Sequence, residues 1–330
     1  MSSLTQIHVA DAVQALSRAR LKNYRTFFGA VDDRAAYGLY CWNDAISASL
    51  SRALAFTEIA LRNQFHAALS ARYGEGAASS RDWYAHLCLN PKSTSLIQKI
   101  THERRRVSGA YEQIPRSPAP SPDDVVSKLS FGFWPHVLDI SFDNDNCPLD
   151  WPAMLMEIVP GHRHSSLAFW SRPRNRDNLF ARIDFCKDLR NRIAHLEPVW
   201  KAGPLMTEGR ARVERKIRVE HSAPANPAEA LARLQIAYER VLELLKWLSP
   251  SLGEVYMASE AHHCFESLNR IAALNAYKRH GGHRRIAALN LNAYHSLRRL
   301  KKELRGIGRH HGAAEVRNGG RPLARWIPVL

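Results

Sequence analysis

WNDAISASLSRALAFTEIALRNQFHAALS, residues 42–70, is the stretch from which the fold is read. Its apolar residues recur at Ile46, Leu50, Ala53, Leu54, Leu61, Phe65 and Leu69. That spacing of three and four continues for about eight turns without a proline or glycine, which predicts one long amphipathic helix. Tyr73-Gly74 supplies the stop. The same period returns from Arg174 to His195 at Leu179, Ile183, Cys186, Leu189 and Ile193, opened by Pro173 and closed by Pro198. A third helix is predicted over Pro227–Leu248, ended by Ser249-Pro250, and two more over about 258–278 and 284–305. Between them, Gly74–Arg81, Ile114–Pro122 with its four prolines, and Asp143–Pro152 read as connections, the second extended and mobile. Val213–Val219 alternates apolar and charged residues and suits a short hairpin arm. The expected class is all-α: a helical bundle over residues 1–250 and a basic helical extension over 251–330.

Composition limits what such a bundle does. The 330 residues are 45% hydrophobic and 24% charged, enough apolar material for a packed core and unlike a disordered chain. The formal net charge is +16 and the isoelectric point about 10.0, so the surface seeks polyanions, nucleic acid before an anionic membrane. No apolar run reaches the roughly 18 residues of a membrane span. The opening residues lack a basic segment followed by an apolar one, so no secretory signal is expected. Cys41, Cys88, Cys147, Cys186 and Cys264 are odd in number and widely spaced, which fits reduced thiols in a cytoplasm. His162 and His164 have no acidic or thiol partner at ligand spacing, so neither metal nor cofactor is expected.

The extension stands apart in charge. From Ser251 to Leu330 there are 14 Lys/Arg against 5 Asp/Glu, which places +9 of the total +16 there. Arg270-Ile-Ala-Ala-Leu-Asn recurs at Arg285-Ile-Ala-Ala-Leu-Asn, a local duplication within two similar helices and too short for a solenoid. Arg298, Arg299, Lys301 and Lys302 form either a solvated basic face or an RNA-backbone contact. The last twenty residues read as a frayed tail. Arg104-Arg105-Arg106, taken as part of a helix around Ser95–Val107, read first as an exposed, solvated basic stripe, with a phosphate track as the alternative.

Chemistry concentrates in Asp188-Leu-Arg190-Asn191-Arg192-Ile-Ala-His195-Leu-Glu197-Pro198. On a helix Asn191 and His195 lie about 40° apart and share a face; Arg190 is about 140° from His195 and reaches it only through its long stem. An imidazole to move protons, a guanidinium to steady developing charge and an amide to orient are the parts needed to cut RNA by attack of its own 2′-hydroxyl. Arg192 adds a further cation. Arg-x4-His spacing occurs three times, at Arg81–His86, Arg190–His195 and Arg305–His310, but only the middle pair falls on an uninterrupted amphipathic helix. The competing reading is a helix end whose Arg and His complement the helix dipole.

Arg190-Asn-Arg-Ile-Ala-His195-Leu-Glu197-Pro198 resembles the Arg-x4-6-His signature of the HEPN superfamily in its bacterial Abi-like (abortive infection) form. Leu21-Lys-Asn-Tyr24 with Leu39-Tyr-Cys-Trp42-Asn43, Glu58-Ile-Ala-Leu-Arg62-Asn63, and Leu129-Ser-Phe131-Gly132-Phe133-Trp134 resemble other segments of that family in the same order, over about residues 10–250. The resemblance implies an all-helical homodimer that cleaves RNA without metal and leaves a 2′,3′-cyclic phosphate. His195 would be the general acid/base, Arg190 the phosphate clamp and Asn191 the orienting group. It also implies restraint by an antitoxin-like RNA or protein. The family's second His is here Leu196, and the Tyr found two residues after the His in some toxins is Glu197. Glu58 and Arg62 read either as an intrahelical pair or, with Asn63, as lining of the cleft. Phe131-Gly132-Phe133-Trp134 reads as an aromatic plug at a helix junction, with a base-stacking platform as the rival. A catalytically silent RNA-binding protein of the same fold remains the alternative function.

Overall fold

The computed structural model describes residues 6–326 apart from 78, 108–109, 212–215, 282–286, 291, 293–295, 311–313 and 320. In chain order, α1 (Gln6–Leu16) and α2 (Arg18–Phe28) precede the long α3 (Asp33–Ser70), then the short strands β1 (Gly76–Ala77) and β2 (Ser80–Arg81). Next come α4 (Pro91–Thr101), strands β3 (His102–Val107) and β4 (Ala110–Pro115), α5 (Pro122–Lys128), α6 (Trp134–Val137), α7 (Trp151–Ile158) and α8 (Leu167–Trp170). α9 (Pro173–Ala194) leads through β5 (Leu205–Met206) and β6 (Val219–His221) to α10 (Pro227–Leu248), α11 (Pro250–Met257), α12 (Glu260–Leu268) and α13 (Ile271–His280). The chain closes with β7 (Ala287–Asn290), α14 (Leu297–His310), β8 (Ala314–Asn318) and β9 (Arg321–Trp326). Helices dominate, and the described sheets have two or three strands each. Among the described residues no helix is long and apolar enough to cross a membrane.

α3 is the axis of the molecule. Asp32 caps its start, its carboxylate accepting from the Ala35 amide at 2.7 Å. The periodic residues Leu39, Trp42, Ile46, Leu50, Ala53, Leu61, Phe65 and Leu69 are all fully buried. α1, α2, α7, α9, α10, α12 and α13 all pack on this helix, so it is covered on more than one side. Two polar groups on its buried faces are answered from far along the chain: the Trp42 indole donates to the Leu268 carbonyl (2.9 Å), and Asn43 accepts from the Val199 amide (3.0 Å). Phe131, Phe133 and Trp134 are buried against Trp83 and Phe65, the plug rather than an exposed stacking platform.

Several segments differ from the sequence reading. Arg104, Arg105 and Arg106 lie on β3, not on a helix: α4 stops at Thr101 and the chain turns into an antiparallel ribbon with Arg105 opposite Glu112. Strand alternation sends neighbouring arginines to opposite faces, whereas a helix would crowd the three cations along one turn. The predicted helix over 258–278 divides into α12 and α13 at Asn269-Arg270. Ala272-Ala-Leu-Asn275 of the repeat is helical in α13, while Ala287-Ala-Leu-Asn290 of the second copy is β7. The extension is therefore not helical throughout, and the segment read as a frayed tail holds β8 and β9. α14 turns Leu300, Leu304 and Ile307 onto Leu289 of β7 and Val316 of β8, a small cluster of its own. Tyr256, Phe265, Leu268 and Leu274 belong instead to the main core, so packing changes near residue 281 rather than at 250. Residues 213–215 of the suggested arm at Val213–Val219 lie outside the described residues; 216–218 form no regular element, and Val219 begins β6, which pairs with β5.

Near its end α3 carries a buried imidazole. The Trp83 indole donates to His66 Nδ1 (2.9 Å), so the ring proton sits on Nε2, facing Ser80 Oγ (3.2 Å) and Asp123 Oδ1 (3.3 Å). Burial holds the His66 pKa below its ordinary value, outweighing the pull of Asp123 in the other direction. A histidine depressed in the folded state stabilises fully above its unfolded pKa of about 6.5 and loses that contribution as pH falls below it. The urea midpoint is thus expected to drop between pH 8 and pH 5, and to drop less in His66→Gln. An equal drop in both proteins would refute the assignment.

Candidate functional site

α9 is anchored by its apolar stripe: Leu179, Ile183, Cys186 and Leu189 are buried against α3 and α10. Burial pushes the Cys186 thiol up to about 12, which leaves it inert as a nucleophile. Across the helix, Arg182 is 6% exposed and donates to Glu208, to Glu243 (2.6 Å) and to the Arg240 carbonyl (3.2 Å), with its guanidinium 4.6 Å from the Trp247 ring centre. These contacts tie α9 to α10 and to the segment after β5.

The C-terminus of α9 ends in a Schellman arrangement. His195 is the C-cap; Leu196 follows at φ 54°, its amide donating to Ile193, and the Glu197 amide reaches back to the Arg192 carbonyl (each 2.9 Å). Glycine is the usual occupant of that left-handed position, so a leucine there stores backbone strain. The surroundings hold the turn. Arg192 donates to the Pro198 and Lys201 carbonyls (3.2 and 2.7 Å), and Arg20 to the Leu196 carbonyl (3.0 Å). Trp200 stacks on Phe27 (4.6 Å between ring centres) and meets Tyr24 and Phe28 edge-on. His195 is thereby an exposed side chain on a fixed backbone.

His195 and Asn191 face the same way, onto the rim of an open groove of about 630 Å³ between α9, α10 and residues 202–209. The volume suits a nucleotide-sized ligand. Arg190 projects elsewhere. Its Nε lies 3.8 Å from Glu58 Oε2 on α3, and it does not line the groove. The structure therefore brings Arg190 to Glu58 and Asn191 to His195, but does not gather Arg190 and His195 on one surface of the chain. Arg62 is spent on the Ser127 carbonyl (2.7 Å), where it fastens the end of α5; Asn63 is exposed one position on. Glu58 thus pairs across helices rather than with Arg62 along its own. Arg192 reaches the groove but is committed to the turn carbonyls and to Glu197 (3.7 Å). Arg104, Arg105 and Arg106 are exposed on the β3–β4 ribbon, and Arg298, Arg299, Lys301 and Lys302 on the solvent face of α14.

The cation that sequence reasoning missed is Arg233 of α10. It lines the groove with His195, donates to the Gly203 carbonyl (3.1 Å) and makes no ion pair among the described residues. Burial, and then the like charge of Arg240, pulls its pKa below the ordinary guanidinium range, so an anion in the groove is favoured. Arg240 is already met by Glu208 (3.8 Å) and Glu220 (2.6 Å). The available signal was two arginines seven residues apart, inside an apolar helix and on one face of it.

Among the described residues no group of three or more His, Cys, Asp or Glu is placed to hold a metal ion. His162 packs against Phe169, Trp170 and Trp247, and burial pushes it down to about 4. The chain matches no family model, no curated protein and no solved structure.

Proposed function

We propose that this protein is a cytoplasmic endoribonuclease of the Abi-like HEPN type, a defence or toxin enzyme that works as a homodimer and is restrained by an antitoxin-like RNA or protein. The observation that carries the proposal is the pairing of an exposed His195 with Asn191 on the rim of a groove that also holds Arg233, a cation with no ion pair among the described residues. In the reaction His195 takes the proton of a ribose 2′-hydroxyl. The 2′-oxygen bonds to phosphorus, the bond to the leaving 5′-oxygen breaks, and that oxygen takes up a proton from the imidazolium of a second copy, which returns to imidazole. The products are a 2′,3′-cyclic phosphate and a 5′-hydroxyl. Arg233 of the same copy, and Arg190 of the second copy across the dimer, steady the charge that grows on the phosphate oxygens. The ion pair of Arg190 with Glu58 is long and its side chain 43% exposed, so a phosphate can displace the carboxylate.

That same Arg190–Glu58 pairing, turned away from His195, favours a second reading: an RNA-binding protein of the same fold that does not cut. Single-stranded RNA incubated with the protein in EDTA separates the two. Cyclic-phosphate ends, reduced about 10²-fold or more in Arg190→Ala, are expected; intact RNA with undiminished binding would leave only the silent reading.

A further inference from the structure

Among the described residues β3 and β4 pair only with each other, so both outer edges of the ribbon carry no further strand. Arg104, Arg105, Arg106 and the opposing residues Ala110 to Gln113 are all exposed. The register makes its two faces chemically different. Arg106 lies opposite Tyr111 and Arg104 opposite Gln113, so these four side chains share one face. Arg105 projects from the other face, where Glu103 meets it at 3.4 Å and Glu112 stands across from it. Among the described residues neither Arg104 nor Arg106 makes an ion pair. The Arg104 guanidinium sits 4.4 Å from the Tyr111 ring centre, which covers one side of a ring that remains 62% exposed.

We propose that the Arg104, Arg106, Tyr111 and Gln113 face of this ribbon is a docking surface for single-stranded nucleic acid. Alternate residues on a strand are about 6.7 Å apart, which lets two arginines meet successive phosphates of an extended strand. The free side of Tyr111 stacks a base, and Gln113 offers an amide to a base edge. A partner of this chemistry also answers the net charge of +16. The proposal extends the reading of RNA as ligand to a second surface, and an uncuttable probe keeps the two apart.

The probe is a fluorescent single-stranded deoxyoligonucleotide, which lacks the 2′-hydroxyl needed for cleavage. In the full chain, Arg104→Ala with Arg106→Ala is expected to weaken binding about tenfold near 0.1 M salt and to flatten the salt dependence by about 1.4 in log–log slope. Tyr111→Ala costs about fivefold or more. Arg105→Ala, whose charge is already met, stays within about twofold of wild type. Gln113→Arg, which adds a cation to the same face, tightens binding, a gain that misfolding cannot mimic. The proposal falls if Arg105→Ala weakens binding as much as the double variant, if Gln113→Arg leaves affinity unchanged, or if the protein ignores the oligonucleotide and holds phosphatidylserine vesicles through these residues. None of these outcomes depends on whether His195 cuts RNA.

Discussion

His195→Ala is expected to lower the rate of RNA cleavage by about 10²–10⁴-fold, the range over which a positioned proton-transfer group contributes. The loss should come without unfolding. The His195 side chain is exposed, and what the turn needs from this residue is its backbone, whose amide donates to the Asn191 carbonyl at 2.9 Å. A change below about 1 kcal/mol in unfolding free energy is expected, the scale of an imidazole beside a helix C-terminus. Binding of the uncuttable deoxyoligonucleotide should survive, because the groove arginine and the ribbon are untouched. Cleavage at the wild-type rate in this variant, with the same cyclic-phosphate ends, would remove His195 from the chemistry.

Arg182→Ala carries the largest expected loss of stability, about 3 kcal/mol in denaturant unfolding. The guanidinium is buried between two carboxylates and a tryptophan face, so its removal leaves Glu243 without its partner, leaves Glu208 with only the longer contact to Arg240 (3.8 Å), and opens a gap beside Trp247. The figure sits at the low end for a broken buried pair because the Glu243 side chain keeps 48% of its exposure and is partly solvated. Arg72, which makes a two-pronged pair with Glu157 at 2.6 and 2.8 Å nearer the surface, provides the contrast: Arg72→Ala should cost no more than about 1 kcal/mol. Equal effects from the two substitutions would mean that the Arg182 cluster does not bind α9 to α10 as described.

The helices with a long, uninterrupted apolar stripe were legible. Pro227–Leu248 has the predicted ends, and Arg174–His195 differs by one residue at each end, because a proline starts each helix and the period holds throughout. α3 was read short at its start: residues 33–41 carry Gly38 and a cap at Asp32 that the periodic reading passed over. Where local sequence is ambivalent, tertiary cover decides. Ala-Ala-Leu-Asn is helical in α13, whose Leu274 enters the main core, and extended in β7, whose Leu289 covers α14. No reading of the tetrapeptide alone separates these. At the site, the shared face of Asn191 and His195 followed from helix geometry. The destination of Arg190 did not, since Glu58 is 132 positions earlier in the chain (190 − 58) and the long stem leaves its direction open. Arg233 is marked in the sequence only by its spacing from Arg240, because the groove that gives it meaning exists only once α9 and α10 are side by side.

α3 is completed by late-arriving partners. The Trp42 indole bonds a carbonyl 226 residues downstream, and α12 and α13 cover the same helix. On a ribosome that adds residues one by one, the central helix emerges with part of its apolar surface bare, and it stays so through the synthesis of most of the protein. A truncated product ending near Leu248 would leave that surface uncovered, a substrate for proteolysis rather than a shorter stable protein.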